Sequence, residues 1–244
     1  MSKASLAKKN EVIENARSQK DFVDFVHLHN HTHYSLLDGL QKVPGLLDHI
    51  QELGQTACAI TDHGSLSGAI EFYKSALERG IKPIIGIETY VAPRTHQDKN
   101  SSEDRTPFHL ILLASNMVGY KNLMKLSTIA NLEGFYYKPR VDHDLIEKYS
   151  EGLICLSGCV GGEVGSNILS NNYQEAKKIA SWYKSVFGKD RYYLEMQPHT
   201  EWEPQVKVNE GLKKLAKELD LDLVVTGDAH YSKPEDHYPH DILL

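Results

Sequence analysis

The feature that most constrains this chain is the stretch Phe25-Val-His-Leu-His-Asn-His-Thr-His-Tyr-Ser-Leu-Leu-Asp38, where His27, His29, His31 and His33 alternate after the apolar run Phe22-Val-Asp-Phe-Val26. Alternate residues of a strand point to the same face. A strand over 22–29 that ends in His29-x-His31 therefore presents two imidazoles side by side. Imidazole is the commonest metal-donor side chain, and two at one strand end can chelate a divalent ion, at about 2.0–2.1 Å if it is zinc. Asp38 follows and can add an oxygen from the next loop. A polar loop with chance histidines would explain this stretch alone, but not the matching donors found further along.

The hydrophobic periods give seven strands, at 22–29, 56–61, 83–91, 108–114, 152–157, 192–196 and 223–226. Helical stretches trail them, such as Val43–Leu53 with apolar residues at Val43, Leu46, Leu47 and Ile50 and a stop at Gly54. Regular β-then-α alternation predicts an α/β fold with a parallel sheet. Closure into a barrel is expected, with an open sheet as the alternative. The 244 residues suit one such domain. Residues 1–21 read as a loose or weakly helical leader, and 22–232 as one domain. Residues 233–244 open a further segment that breaks off in an apolar run, so a longer parent protein is expected. Thr95–Thr106 is polar and charged and is expected to be a mobile loop. Gly134–Arg140 is a second loop, carrying Tyr136, Tyr137, Lys138 and Arg140. Those side chains suit a single nucleic-acid strand held by phosphate contact and base stacking; a solvated loop packing two tyrosines explains them equally well.

Composition narrows the chemistry. A formal charge of −6 argues against a strongly basic nucleic-acid clamp, though not against a site that reads phosphate through metal ions. Thirteen histidines point to metal chemistry. Cys58, Cys155 and Cys159 form no Cys-x-x-Cys pair, which excludes a zinc ribbon. The apolar contexts of Cys58 and Cys155 suit reduced thiols in a cytoplasmic protein. No apolar run approaches the ~20 residues of a membrane span, and the first twenty residues lack the apolar core of a signal peptide.

In barrels of parallel strands, functional residues gather at the carboxyl ends of the strands. Those ends carry His29 and His31, His63, Glu88, Cys159, and Asp228 with His230. Singly each has a plain structural explanation: a turn for His63, a solvated charge for Glu88, a small buried hydrophobe for Cys159, a hydrogen-bonded pair for Asp228 and His230. Together with Asp38 and His109 they make nine nitrogen, oxygen and sulfur donors. That exceeds the needs of one ion and predicts two or three, with Glu88 as a bridge. His109 lies near the start of its apolar run rather than the end, so a ligand and a strand-edge residue both remain open for it. Mixed His-rich ligation suits zinc, manganese or iron, with magnesium a further option. Such a cluster suits hydrolysis of a phosphate ester, with Glu88, His63 and Asp228 as its catalytic residues. A covalent role for the Cys159 thiolate is the alternative.

His29-x-His31-Thr-x-x-Ser35, Thr61-Asp62-His63-Gly64, Gly86-x-Glu88, Ser157-Gly158-Cys159 and Asp228-x-His230 resemble the successive motifs of the PHP (polymerase and histidinol phosphatase) domain. Longer strings are similar to the N-terminal PHP domain of bacterial DNA polymerase III alpha subunits. They are Val26–Gly39, Gly68-Ala-x-Glu-Phe-Tyr-Lys74, Gly80–Gly86, Gly134-Phe-Tyr-Tyr-Lys-Pro-Arg140 and Glu151–Cys159. The resemblance implies a distorted seven-stranded (β/α) barrel and a trinuclear metal centre. Its ligands would be His29, His31, Asp38, His63, Glu88, His109, Cys159, Asp228 and His230, with His27 and His33 outside the set. It further implies a 3′–5′ proofreading exonuclease in those members whose ligand set is complete, as it is here. DNA 3′ ends, the remaining polymerase domains and other replisome subunits are the implied partners, and no membrane. A stand-alone phosphatase of the histidinol-phosphate type and a metal-stabilised scaffold without activity are the competing functions.

Overall fold

The structure, a computed structural model, describes residues 11–19, 23–100 and 102–244. The chain forms two compact units, one built from the residues up to Ile85 together with Asp228–Leu244, the other from Gly86–Gly227.

In the first unit the helical spacing read at Val43 places Val43, Leu46, Leu47 and Ile50 on the buried face of α2 (Val43–Glu52), which starts with a proline in its first turn. They pack with Cys58 and Ile60 of β1 (Ala57–Ile60) and with Phe72 and Ala76 of α3 (Ala69–Glu78) in one apolar cluster. The first four residues of β2 (Lys82–Val91) pair parallel to β1, in the register Ala57 to Lys82. Part of the expected leader is ordered: residues 11–17 form a helix, α1, with Ile13 buried and Arg17 bonded to Asp24 at 3.2 Å. The rest of the leader, 1–10 and 20–21, lies outside the described residues. The expected helix beyond residue 233 is present as α9 (His237–Leu243).

The strand expected at 22–29 is not formed within the described residues. Only isolated bridges remain, His27 with Cys58 and Asn30 with Ala229. Backbone bonds persist at single points, from Ala59 N–H to the His27 carbonyl at 2.8 Å and from His31 N–H to the Ala229 carbonyl at 2.9 Å, while just beyond the expected strand the backbone N–H of Asn30 donates to Thr61 Oγ1 and that of Thr32 to Asp62.

In the second unit the remainder of β2 pairs with β3 (Phe108–Ala114), β3 with β5 (Leu153–Leu156), β5 with β6 (Tyr192–Met196), and β6 with β7 (Leu223–Val225). The expected all-parallel sheet is corrected at one place. β3 runs antiparallel to both β2 and β5. A parallel return needs a crossover, usually a helix, and the described residues of 92–107 supply a single 3₁₀ turn, Glu103–Arg105. Helices α4 (Met117–Leu132), α5 (His143–Lys148), α6 (Glu163–Leu169), α7 (Tyr173–Phe187) and α8 (Glu203–Leu219) make up the rest of this unit.

A two-residue strand, β4 (Arg140–Val141), begins at the last residue of the stretch expected as loop and pairs with Tyr90 and Val91. Arg140 is fully buried, and its guanidinium donates to the carbonyls of Gly134, Asp104, His96 and Asp98 at 2.7–3.0 Å. The phosphate-contact role considered for Arg140 is thereby removed, because a guanidinium has five N–H donors and no acceptor, and four backbone carbonyls occupy this one. The same side chain corrects the expectation of a mobile loop at Thr95–Thr106. Arg140 ties that segment down together with the buried Asp104, which takes both nitrogens of the Arg94 fork. Among the described residues no helix is long and apolar enough to cross a membrane.

Candidate metal centre

The alternation of His29 and His31 has the consequence expected of it. Both rings are buried and their Nε2 atoms lie 3.0 Å apart. Asp228 brings Oδ1 to 3.2 Å from one and 3.3 Å from the other. Its backbone is left-handed, with φ at 48°, a conformation that aspartate tolerates better than most residues. His31 also stacks on His230, with ring centroids 4.3 Å apart, and lies 4.1 Å from the ring of His63. One ligand atom from each of His31, His63 and His230 falls within 4.8 Å of the others. Asp38 completes the group, with Oδ2 at 2.9 Å from His63 Nε2 and 3.9 Å from His230 Nε2. Burial pushes the Asp38 carboxyl up, but the bond from His63 and the electrostatic pull of the neighbouring imidazoles outweigh it and hold it below its ordinary value.

In the second unit Glu88, almost fully buried, brings Oε1 to 2.8 Å from His109 Nδ1. The Cys159 thiol lies 3.8 Å from the same nitrogen. Donor atoms of Glu88, His109 and Cys159 again fall within 4.8 Å of one another. The three residues come from the middle of β2, the start of β3 and the turn after β5. Strand direction places His109 beside Glu88 although it begins its strand, since the start of an antiparallel strand lies beside the end of its neighbour. Gly158 shapes the turn: φ is +78° there, and a Cβ would sit 2.6 Å from the carbonyl oxygen of His109. Only glycine takes that conformation without cost.

Hydrogen bonding sets the histidine tautomers. Ser35 donates its single hydroxyl proton to Asp62 at 2.9 Å, so its oxygen accepts from His31 Nδ1–H at 3.0 Å and from the His63 backbone N–H at 3.2 Å. His230 Nδ1–H donates to the Asp228 carbonyl at 2.9 Å. In both rings the other nitrogen, Nε2, keeps its lone pair, the state in which imidazole binds a metal. The donor set therefore fits divalent ions in chemistry as well as spacing. Asp38 Oδ1 adds a buried carboxylate oxygen with no hydrogen-bond partner among the described residues.

All nine expected donors thus fall into one of two groups, six in the first unit and three in the second. His27 and His33 belong to neither. His27 is edge-on to Phe25 and its pKa is lowered by burial, while His33 packs on Tyr34. Three supporting residues were missed in the sequence. Ser35 and Asp62 sit inside recognisable motifs but reveal their role only when the loop brings them together. Burial pushes the Asp62 carboxyl up even though Thr32 and Ser35 donate to it. His240, on α9, donates from Nε2 to the Asp38 carbonyl at 2.9 Å, and no local pattern marks it.

Residues 27–199 match the family described as the PHP domain. The chain is 48% identical over 222 residues to the DNA polymerase III subunit alpha of Borreliella burgdorferi, covering 90% of this chain and 19% of the relative. It is 46% identical over 223 residues to the same subunit of Treponema pallidum, covering 91% and 19%. The chain thus spans about a fifth of the length of these relatives. Among solved structures it is similar to one from Bifidobacterium adolescentis assigned as a metal-dependent phosphoesterase. The TM-score is 0.53 at 15% identity, over 87% of this chain and 90% of the other. That likeness bears out the expected α/β fold of the PHP type.

Proposed function

The chain belongs to the PHP domain family, and from that premise we propose that it hydrolyses phosphodiesters of DNA as a metal-dependent 3′–5′ exonuclease domain of a DNA polymerase III alpha subunit. What carries the reading is the pair of donor groups, His31–His63–His230 and Glu88–His109–Cys159, each with its ligand atoms within 4.8 Å. His29, Asp38 and Asp228 add donors to the first group, and two or three divalent ions are the proposed cofactors. Zinc, manganese or iron suits these donors. Bound ions would supply Lewis-acid stabilisation of phosphoryl charge and activation of water.

The chain's own groups prepare the site. Ser35 and Asp62 hold His31 with Nε2 unprotonated, and the Asp228 carbonyl does the same for His230. Glu88, Asp38 and Asp228 supply the negative charge that offsets the cations, and each is anchored by an imidazole at 2.8–3.3 Å. Glu88, His63 and Asp228 are the proposed catalytic residues. DNA 3′ ends are the proposed substrate. The remaining domains of a DNA-directed polymerase and other replisome subunits are the proposed partners.

The test is a nuclease assay on single-stranded and mispaired DNA, run beside small phosphomonoesters such as histidinol phosphate, with wild type and Glu88→Gln. Wild type should release nucleotides from 3′ ends and lose this activity with a chelator. Glu88→Gln should lose about 10²–10³-fold, the order of a missing electrostatic group in an active site. Turnover of phosphomonoesters with DNA untouched would establish the phosphatase reading instead, and DNA degradation that persists in the mutant would overturn the mechanism.

A further inference from the structure

We propose that Glu195 is a positioning residue for Cys159, acting through the backbone of Gly158; the proposal rests on the reading of Cys159 and His109 as metal ligands. Glu195 lies on β6, in the run Tyr192-Tyr-Leu-Glu-Met196. It is 1% exposed, an uncommon place for a carboxylate unless both oxygens are engaged. Here both are. One accepts the backbone N–H of Gly158 at 3.1 Å, and the other accepts the hydroxyl of Thr226. The backbone N–H of Glu195 donates in turn to Ser157 Oγ at 2.9 Å. The residue therefore ties together the ends of β5, β6 and β7, and its contact on β5 is the peptide that leads into Cys159.

That peptide has little freedom of its own. Gly158 is left-handed and closely opposed to the His109 carbonyl. Beyond it, His109 N–H donates to the Gly161 carbonyl at 3.0 Å, and Gly162 N–H to the Cys159 carbonyl at 2.9 Å. The Gly161 N–H points at the Cys159 sulfur, 3.4 Å away. The turn is held against β3 at its far end by the bond from His109 N–H, and at its near end by Glu195. Without the Glu195 acceptor the Gly158 N–H would be buried and unpaired, and the turn would shift to find a partner. The thiol would then leave its place 3.8 Å from His109 Nδ1. A displacement of about 1 Å matters for a ligand, since Zn–S bonds cluster near ~2.3 Å.

Cobalt(II) titration of the 244-residue chain tests this, because a thiolate on cobalt gives a sulfur-to-metal charge-transfer band in the near ultraviolet. Glu195→Gln retains one oxygen for the Gly158 N–H and an amide that can donate to Thr226, so the band and the affinity should stay close to wild type. Glu195→Met fills the space without an acceptor. It should lose most of the band and bind cobalt about 10–100-fold more weakly, as changes to groups that orient ligands do. Should Glu195→Met fail to fold by circular dichroism, Thr226→Val decides, with a weakened band expected. A full band and wild-type affinity in Glu195→Met, or in Thr226→Val if that is the variant used, would overturn the positioning role while leaving Cys159 as a ligand. A wild-type chain that binds cobalt with no such band would overturn the ligand reading of Cys159, and this proposal with it.

Discussion

Glu88 meets His109 at 2.8 Å, carboxylate oxygen to Nδ1, because β3 runs back along β2. Glu88 lies opposite Ile111, so His109, two residues earlier on β3, is its diagonal neighbour on the same face. Tyr90 lies directly opposite His109 and packs edge-on against its ring, with centroids 5.4 Å apart, which limits the imidazole's rotation. A parallel β3 would have carried His109 to the other end of the strand.

The isolated chain should bind more than one divalent ion. Elemental analysis after reconstitution with zinc or manganese should give at least two per chain, and a value of one or less would contradict the two donor groups.

His63→Ala should destabilise the metal-loaded protein far more than the chelated one. If losing the ring weakens binding a hundredfold at saturating metal, linkage removes about 2.7 kcal/mol, roughly 5–10 °C in Tm for a chain of this size. After chelation the loss should shrink to that of a partly exposed His–Asp contact, under about 1 kcal/mol. Equal losses in both conditions would assign His63 to packing.

Arg140→Met should release the segment that Arg140 pins. Four carbonyls lose a charged donor, at a cost of about 3 kcal/mol or more. Limited trypsin digestion should then cut faster at Arg94, Lys99 and Arg105. Lysine should rescue poorly, because an ammonium cannot reproduce the planar fork. An unchanged digestion pattern would show the segment to be held by other contacts.

Acid should loosen the same region. Asp142 caps α5 through the Leu145 N–H and also accepts from the His96 backbone N–H at 2.9 Å, beside the His96 ring. Burial pushes its carboxyl up, but the bonds from His96 and Leu145 outweigh it and hold it below its ordinary value of 3.8. The folded carboxyl thus holds its proton less tightly than the unfolded one. Its contribution is complete above pH 3.8 and disappears as pH falls through the folded value. Asp142→Asn keeps the cap, since asparagine serves as well as aspartate at that position, but abolishes the titration. The Tm gap between wild type and this variant should be constant at neutral pH and close in acid. A gap that widens on acidification would refute the assignment.

The sequence alone determined what depends on near neighbours. The period of two put His29 and His31 on one face, the helical spacing of Val43, Leu46, Leu47 and Ile50 marked the buried side of α2, and the donor types announced metal chemistry. These are properties of residues a few positions apart, whose geometry follows from backbone periodicity. Only the tertiary structure decided which partners distant groups would find. The reversal of β3 brought His109 to Glu88, and the side chains of Thr61 and Asp62 took the backbone N–H groups of Asn30 and Thr32. The burial of Arg140 turned a nominal phosphate contact into a clamp on backbone carbonyls. Ser35 reaches Asp62 across 27 positions, and Glu195 reaches Gly158 across 37. Hydrogen bonds between such remote groups depend on chain direction and on which donors are cut off from water, and neither is encoded in a local pattern.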